Sequence, residues 1–170
     1  AVLGAGSDTA VDLHSYLIKN LLQHPEQHHA LMADETLVQG AISETLRYES
    51  SGKTGLARYA SEDLEIQGHQ IKKGQMVQLI TSTAGMDPLI YNDPSTFNIQ
   101  RDHDKSISFG QGPHYCIGVT LVRSQTEVML KELFKRFPNL SLGDEIVYDY
   151  AHHNARRMDV MTVNTNIAKS

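Results

Sequence analysis

A single cysteine, Cys116, is the only thiol in the 170-residue sequence. That excludes an intramolecular disulfide and any zinc module built from several cysteines. Basic residues are also short: 15 Lys and Arg stand against 20 Asp and Glu, a net charge of −5. A nucleic-acid binder shows a basic face instead. No run is apolar enough to span a bilayer, and none reads as a signal peptide. Repeats, low-complexity tracts and Ser/Gly linkers are lacking. Core material is plentiful, because Leu, Ile, Val and Phe make up about a quarter of the residues, above the level at which a chain stays disordered. The length suits one ordinary domain. Together these features predict a mildly acidic globular protein, cytoplasmic and in a reducing compartment, that binds neither nucleic acid nor membrane.

The chain opens Ala1-Val2-Leu3-Gly4-Ala5-Gly6 without an initiator Met. An apolar, small-residue start reads as the middle of an element, so either a processed terminus or a part of a larger protein is expected.

Two halves differ in period. Ala10, Leu13, Leu17 and Leu21 are spaced by three and four residues, which predicts a helix from Asp8 to about His24. Pro25 ends it and can open a short helix to Met32. Asp34 is a suitable N-cap for a third helix through Tyr48, with Leu37, Ala41 and Ile42 inward. Short β-like runs follow at 55–60, 64–66 and 76–80, with turns at Gly68 and Lys73-Gly74. Residues 81–116 form a long meander broken at Asp87-Pro88, Asn92-Asp93-Pro94 and Gly110 to Pro113; a loop of that length in a compact chain is usually functional. A helix over 117–137 is expected next, with Leu121, Val128 and Leu133 on one side and Pro138 ending it. Residues 146–150 and 158–163 read as strands. The fold class is therefore mainly α with small β-sheets (α+β).

The strongest chemical signal is Phe109-Gly110-Gln111-Gly112-Pro113-His114-Tyr115-Cys116-Ile117-Gly118. Two glycines allow a tight loop and close backbone approach. The lone cysteine falls where the loop turns into a helix, and a helix N-terminus favours thiolate over thiol. A thiolate is a soft metal ligand. One cysteine serves zinc and iron–sulfur sites poorly, but a single axial thiolate suits haem iron. The segment resembles the haem-binding loop of the cytochrome P-450 superfamily, whose pattern Phe-Gly-x-Gly-x-His-x-Cys-x-Gly it matches at Phe109, Gly110, Gly112, His114, Cys116 and Gly118.

The resemblance implies further residues in order. Glu44-Thr45-Leu46-Arg47 is similar to the family's Glu-x-x-Arg, whose spacing places both charges on one helix face. Arg101 falls where the family has a second arginine, so Glu44, Arg47 and Arg101 are expected to form a structural triad pinning the meander beneath the loop. Ala5-Gly6-Ser7-Asp8-Thr9 resembles the distal-helix segment, in which Asp8 and Thr9 would relay protons to bound oxygen. Read from the residues alone, Ser7, Asp8 and Thr9 are also good helix N-caps. His114 and Arg58 match positions that hold haem propionates. Departures are Ser50 to Thr54 in place of a proline-containing segment, Gly85-Met86 in place of Asn-Arg, and Ser106 where many bacterial relatives carry histidine. His24, His28, His29, His152 and His153 are expected at the surface.

The resemblance covers Gly4 to about Val163 and implies a C-terminal portion of the family fold: a distal helix end at 1–24, the Glu-x-x-Arg helix at 34–48, a β region at 54–80, the meander and loop at 81–118, the proximal helix at 117–137 and strands at 139–165. The implied cofactor is haem b bound through Cys116, whose thiolate would promote O–O cleavage. The implied partners are a ferredoxin or flavoprotein reductase and a small organic substrate. Apolar faces around Leu13, Leu17 and Leu121 are expected to be bare and to favour a homo-oligomer. Two functions remain open: a haem-thiolate monooxygenase, or a non-catalytic remnant that keeps the loop without a complete substrate pocket.

Overall fold

The computed structural model describes residues 2–52, 55–151 and 155–166. Helix α1 spans Val2–Gln23. Its first two described turns stand clear, with Gly4 to Thr9 exposed, while Leu13, Leu17 and Leu21 are buried. The three-and-four spacing thus marks the packed stripe, and Ser7, Asp8 and Thr9 lie inside the helix, not at a cap. Helix α2, Pro25–Ala33, begins on a proline whose missing N–H costs nothing in a first turn. Asp34 caps a 3₁₀ turn, Glu35–Leu37, by accepting the Thr36 N–H at 2.9 Å, and the turn runs into α3, Val38–Tyr48.

Among the described residues, three two-stranded antiparallel pairs follow different logic. Strand β1, Leu56–Tyr59, pairs with β4, Met76–Leu79; between them β2, Leu64–Ile66, pairs with β3, His69–Ile71. Strand β3 is absent from the sequence expectation, because three residues give no visible alternation. After the one-turn helix α4, Thr81–Ala84, the meander proceeds in turns to a 3₁₀ turn at Gly112–His114. Helix α5 is Val119–Arg136, and β5, Ser141–Asp149, pairs with β6, Arg157–Asn164.

One core joins α1, α2, α3, the meander and α5, with Leu17, Leu31, Ile42, Phe97, Ile99 and Leu130 each at most 2% exposed. Two sequence expectations change here. Leu13 and Leu17 are core residues, not a bare face; Leu121 is bare, at 63%. In α5 the packed side runs through Thr126, Leu130 and Phe134, while Leu121 and Val128 face outward and Leu133 is half-buried.

The β5–β6 hairpin is stitched back onto α1. Tyr16 donates its hydroxyl proton to the Arg156 carbonyl at 2.9 Å, and Arg156 pairs with Glu49 at 2.7 Å. Glu49 also takes the Lys19 ammonium, and Arg157 reaches Asp8 at 3.3 Å and Asp12 at 3.8 Å. Among the described residues no helix is long and apolar enough to cross a membrane.

Candidate functional site

The loop carrying Cys116 is built on its own backbone. Gly110 and Gly112 have φ of +74° and +69°, a region that favours glycine. Gly110 N–H bonds the Ile107 carbonyl at 2.8 Å, Tyr115 N–H the Gly112 carbonyl at 3.0 Å, and Cys116 N–H the Phe109 carbonyl at 2.9 Å. Residues 111–117 are all exposed, so the free thiol stands open with bare glycine backbone beside it. Cys116 does not begin the helix. Gly118 is the N-cap and Val119 the first helical residue, with Val119 N–H reaching the Cys116 carbonyl at 3.4 Å.

Behind the loop the structure brings Glu44, Arg47 and Arg101 together. Glu44 and Arg47 side chains are fully buried and joined twice, Nε to Oε2 and Nη2 to Oε1, both at 2.7 Å. Asn98 N–H reaches Oε1 at 2.8 Å, and Arg101 Nε at 3.3 Å. Arg47 Nη1 donates onward to the carbonyls of Gly85 at 2.8 Å and Pro94 at 2.7 Å, and Nη2 to Thr96 at 3.1 Å. Arg101 donates to the Asn92, Asp93 and Thr96 carbonyls. A buried carboxylate is tolerable only with its lone pairs filled, and here that filling ties α3 to the meander. Gly85 packs so closely that a Cβ there would lie 2.5 Å from the Arg47 carbonyl oxygen.

The other predicted site residues lie apart. Asp8 pairs with Arg157, and Thr9 turns its hydroxyl back to the Ala5 carbonyl at 2.6 Å. Among the described residues no hydrogen bond or ion pair joins either to the Cys116 loop. His114 is exposed in the 3₁₀ turn, and Arg58 is exposed on β1, donating to its neighbour's carbonyl at 2.9 Å. His24 and His28 are half-buried, contrary to the surface expectation. His24 Nδ1 lies 2.8 Å from the Asn20 carbonyl, and the His28 ring is 4.3 Å from that of Phe134. His29 is exposed; His152 and His153 lie outside the described residues.

Two residues beside the loop were not legible in the sequence. His103 Nε2 sits 3.7 Å from Glu44 Oε2, too far for a hydrogen bond, and both ring nitrogens are buried without a hydrogen-bond partner. Burial holds its pKa below the ordinary value, against the pull of Glu44. Arg123 on α5 lies over the Phe109 ring, its guanidinium carbon 5.5 Å from the centroid. Both border a cleft of about 320 Å³ whose wall includes Phe109 and Tyr115.

The sequence profile of the family Cytochrome P450 matches residues 1–145. Epothilone C/D epoxidase of Sorangium cellulosum is 36% identical over 163 residues, 96% of this chain and 39% of that protein. Vitamin D3 dihydroxylase of Streptomyces griseolus is 40% identical over 142 residues, 84% of this chain and 35% of that protein. The crystal structure of epothilone D-bound cytochrome P450epoK aligns with a TM-score of 0.93 at 35% identity, over 99% of this chain and 41% of that one. P450BioI, solved in complex with an acyl carrier protein bearing hexadec-9Z-enoic acid, gives 0.87 at 38% identity over 94% and 41%. The chain thus spans about two fifths of the length of these relatives, and the helices and small antiparallel sheets expected from the sequence are part of their fold. On the profile match, the sequence identities and the shared architecture, the chain belongs to the cytochrome P450 family.

Proposed function

We propose that this chain is the C-terminal portion of a haem-thiolate monooxygenase and that Cys116 is its axial iron ligand. The observation that supports this most is the open thiol on a loop of bare glycine backbone, backed by a buried charge cluster. A Cβ at Gly112 would meet nothing within 4 Å, and one at Gly110 only the His114 carbonyl oxygen at 3.6 Å. The residues present therefore fit a flat ligand lying against the loop. Haem b, when bound, supplies the redox-active iron at which dioxygen is reduced and oxygen is inserted into substrate.

The chain's own residues would take the following parts. Cys116 Sγ would hold the iron, with the Phe109 carbonyl fixing the Cys116 amide and so the sulfur's direction. His114 and Arg58, both exposed, are free to turn toward haem propionates. The Thr9 hydroxyl, spending its proton on the Ala5 carbonyl, keeps lone pairs to accept from a water, and Asp8, paired with Arg157, stands next to it in the chain; the two would relay protons. Glu44, Arg47 and Arg101 would hold the meander under the loop. Electrons would come from a ferredoxin or flavoprotein reductase docking near Cys116, and the substrate would be a small organic molecule. The setting would be cytoplasmic. With Ile117 at 97% and Leu121 at 63% exposure, the chain on its own would associate as a homo-oligomer.

A second reading, a non-catalytic remnant that keeps the loop without a complete substrate pocket, is supported by one observation: among the described residues no hydrogen bond or ion pair joins Asp8 or Thr9 to the Cys116 loop. The test is to add haem, reduce, expose to carbon monoxide and record the spectrum. A thiolate-type Soret shift that Cys116→Ser abolishes supports a competent site. Absence of haem uptake supports the remnant, and a shift that survives Cys116→Ser removes Cys116 as the ligand.

A further inference from the structure

Arg123 is a cation without an ion pair among the described residues, and its contacts all lead to one place. Its Nη1 donates to Gln39 Oε1 at 2.7 Å and its Nη2 to Ser43 Oγ at 3.3 Å, so the fork is spent on α3. Its guanidinium carbon lies over the Phe109 ring, 5.5 Å from the centroid. Phe109 is half-buried while residues 111–117 are exposed, so the loop is held at its base and not along its length. The Phe109 carbonyl is also the acceptor for the Cys116 amide. Gln39, Ser43 and Arg47 share one face of α3 at spacings of four. That single helix therefore holds the meander through Arg47 and the loop through Arg123.

We propose that Arg123 is the positioning residue for Cys116: it fixes the Phe109 ring against α3 and thereby sets the carbonyl that orients the Cys116 backbone. A guanidinium suits this task because its plane stacks on a ring while its edge donates in two directions. Lysine can offer the charge to the ring but not the fork. The functional meaning rests on the reading of Cys116 as the iron ligand; the geometry does not.

The test uses the whole chain without haem and follows amide hydrogen exchange at Cys116, with Ile42 in the core as reference. Arg123→Gln is expected to speed exchange at Cys116 roughly tenfold while leaving Ile42 unchanged. Arg123→Lys is expected to restore part of the protection. Phe109→Leu combined with Arg123→Gln should add little to Arg123→Gln alone, because both remove one contact. The proposal is overturned by unchanged exchange at Cys116, by an equal rise at Ile42, by no recovery with lysine, or by multiplying effects in the double variant. If Arg123→Gln does not fold, Arg123→Lys against the native chain decides: a partial rise confined to Cys116 supports the proposal, and no rise overturns it. A failed carbon monoxide spectrum with these exchange results intact would remove the haem reading alone; the reverse pattern would remove only Arg123.

Discussion

Arg47 grips Glu44 through two parallel hydrogen bonds of 2.7 Å, three residues apart on one helix and with both side chains fully out of water. Such a pair is specific before it is stabilising, since desolvation offsets much of its attraction. Its removal is asymmetric. Arg47→Ala would leave a buried carboxylate with only Arg101 and one amide to satisfy it, and would free the carbonyls of Gly85, Pro94 and Thr96. The expected loss is about 3–5 kcal/mol, read as a drop in the urea midpoint. A loss under about 1 kcal/mol would show that the cluster is not a structural pin.

Gly85→Ala should reach the same contact from the other side. Its methyl would lie 2.5 Å from the Arg47 carbonyl oxygen and 3.1 Å from Arg47 Cγ. Displacing a helix end that is also bonded to the meander should cost about 1–3 kcal/mol. Thermal unfolding checks it; an unshifted Tm would mean that α3 yields freely there.

Acid should weaken the fold through its buried histidines. Burial holds His14, His28 and His103 below the ordinary histidine value of 6.5, with the neighbouring His29 adding to the effect at His28. Around His103, Arg47 and Arg101 act in the same direction, while Glu44 and Asp102 oppose it. A neutral folded imidazole binds fewer protons than the unfolded one. Stability is then fully present above the unfolded pKa and declines as pH falls through it. Urea midpoints should fall from about pH 7 to pH 5, and less so in His103→Gln. A flat or rising profile would contradict the assignment.

Helix α5 offers a paired comparison. Leu130 is 1% exposed and Leu121 63%. Leu130→Ala should cost about 2–5 kcal/mol at any protein concentration, whereas Leu121→Ala should stay within about 0.5 kcal/mol in solution dilute enough to keep the chain monomeric. Equal losses would mean that the outward side of α5 is covered in solution, as association through it would require.

Legibility followed the source of the constraint. Leu13, Leu17 and Leu21 could be read as one apolar helix face because period alone defines it. Whether that stripe was bare could not, since burial depends on α3 arriving beside it. On α5 apolar residues occupy two sides, and only the crossing of α3 and α5 selects Leu130 and Phe134 over Leu121 and Val128. Glu44, Arg47 and Arg101 were legible through motif order, although one sequence cannot show that Glu44 also takes the Asn98 amide. His103 stands between Asp102 and Asp104 and reads as a solvated loop residue until the fold closes over it. Arg123 lies seven positions beyond Cys116, and nothing local announces a ring beneath it.

The bond between Tyr16 and Arg156 bridges 140 positions. Contacts so remote in the chain close slowly, because a long loop must be gathered before they form. During synthesis α1 emerges well before β6, so Arg156 and Arg157 can dock on it only once that later segment has left the ribosome. Until then α1 lacks the Tyr16–Arg156 bond and the Arg157 contacts with Asp8 and Asp12, so a stalled nascent chain is more exposed to chaperones and proteases.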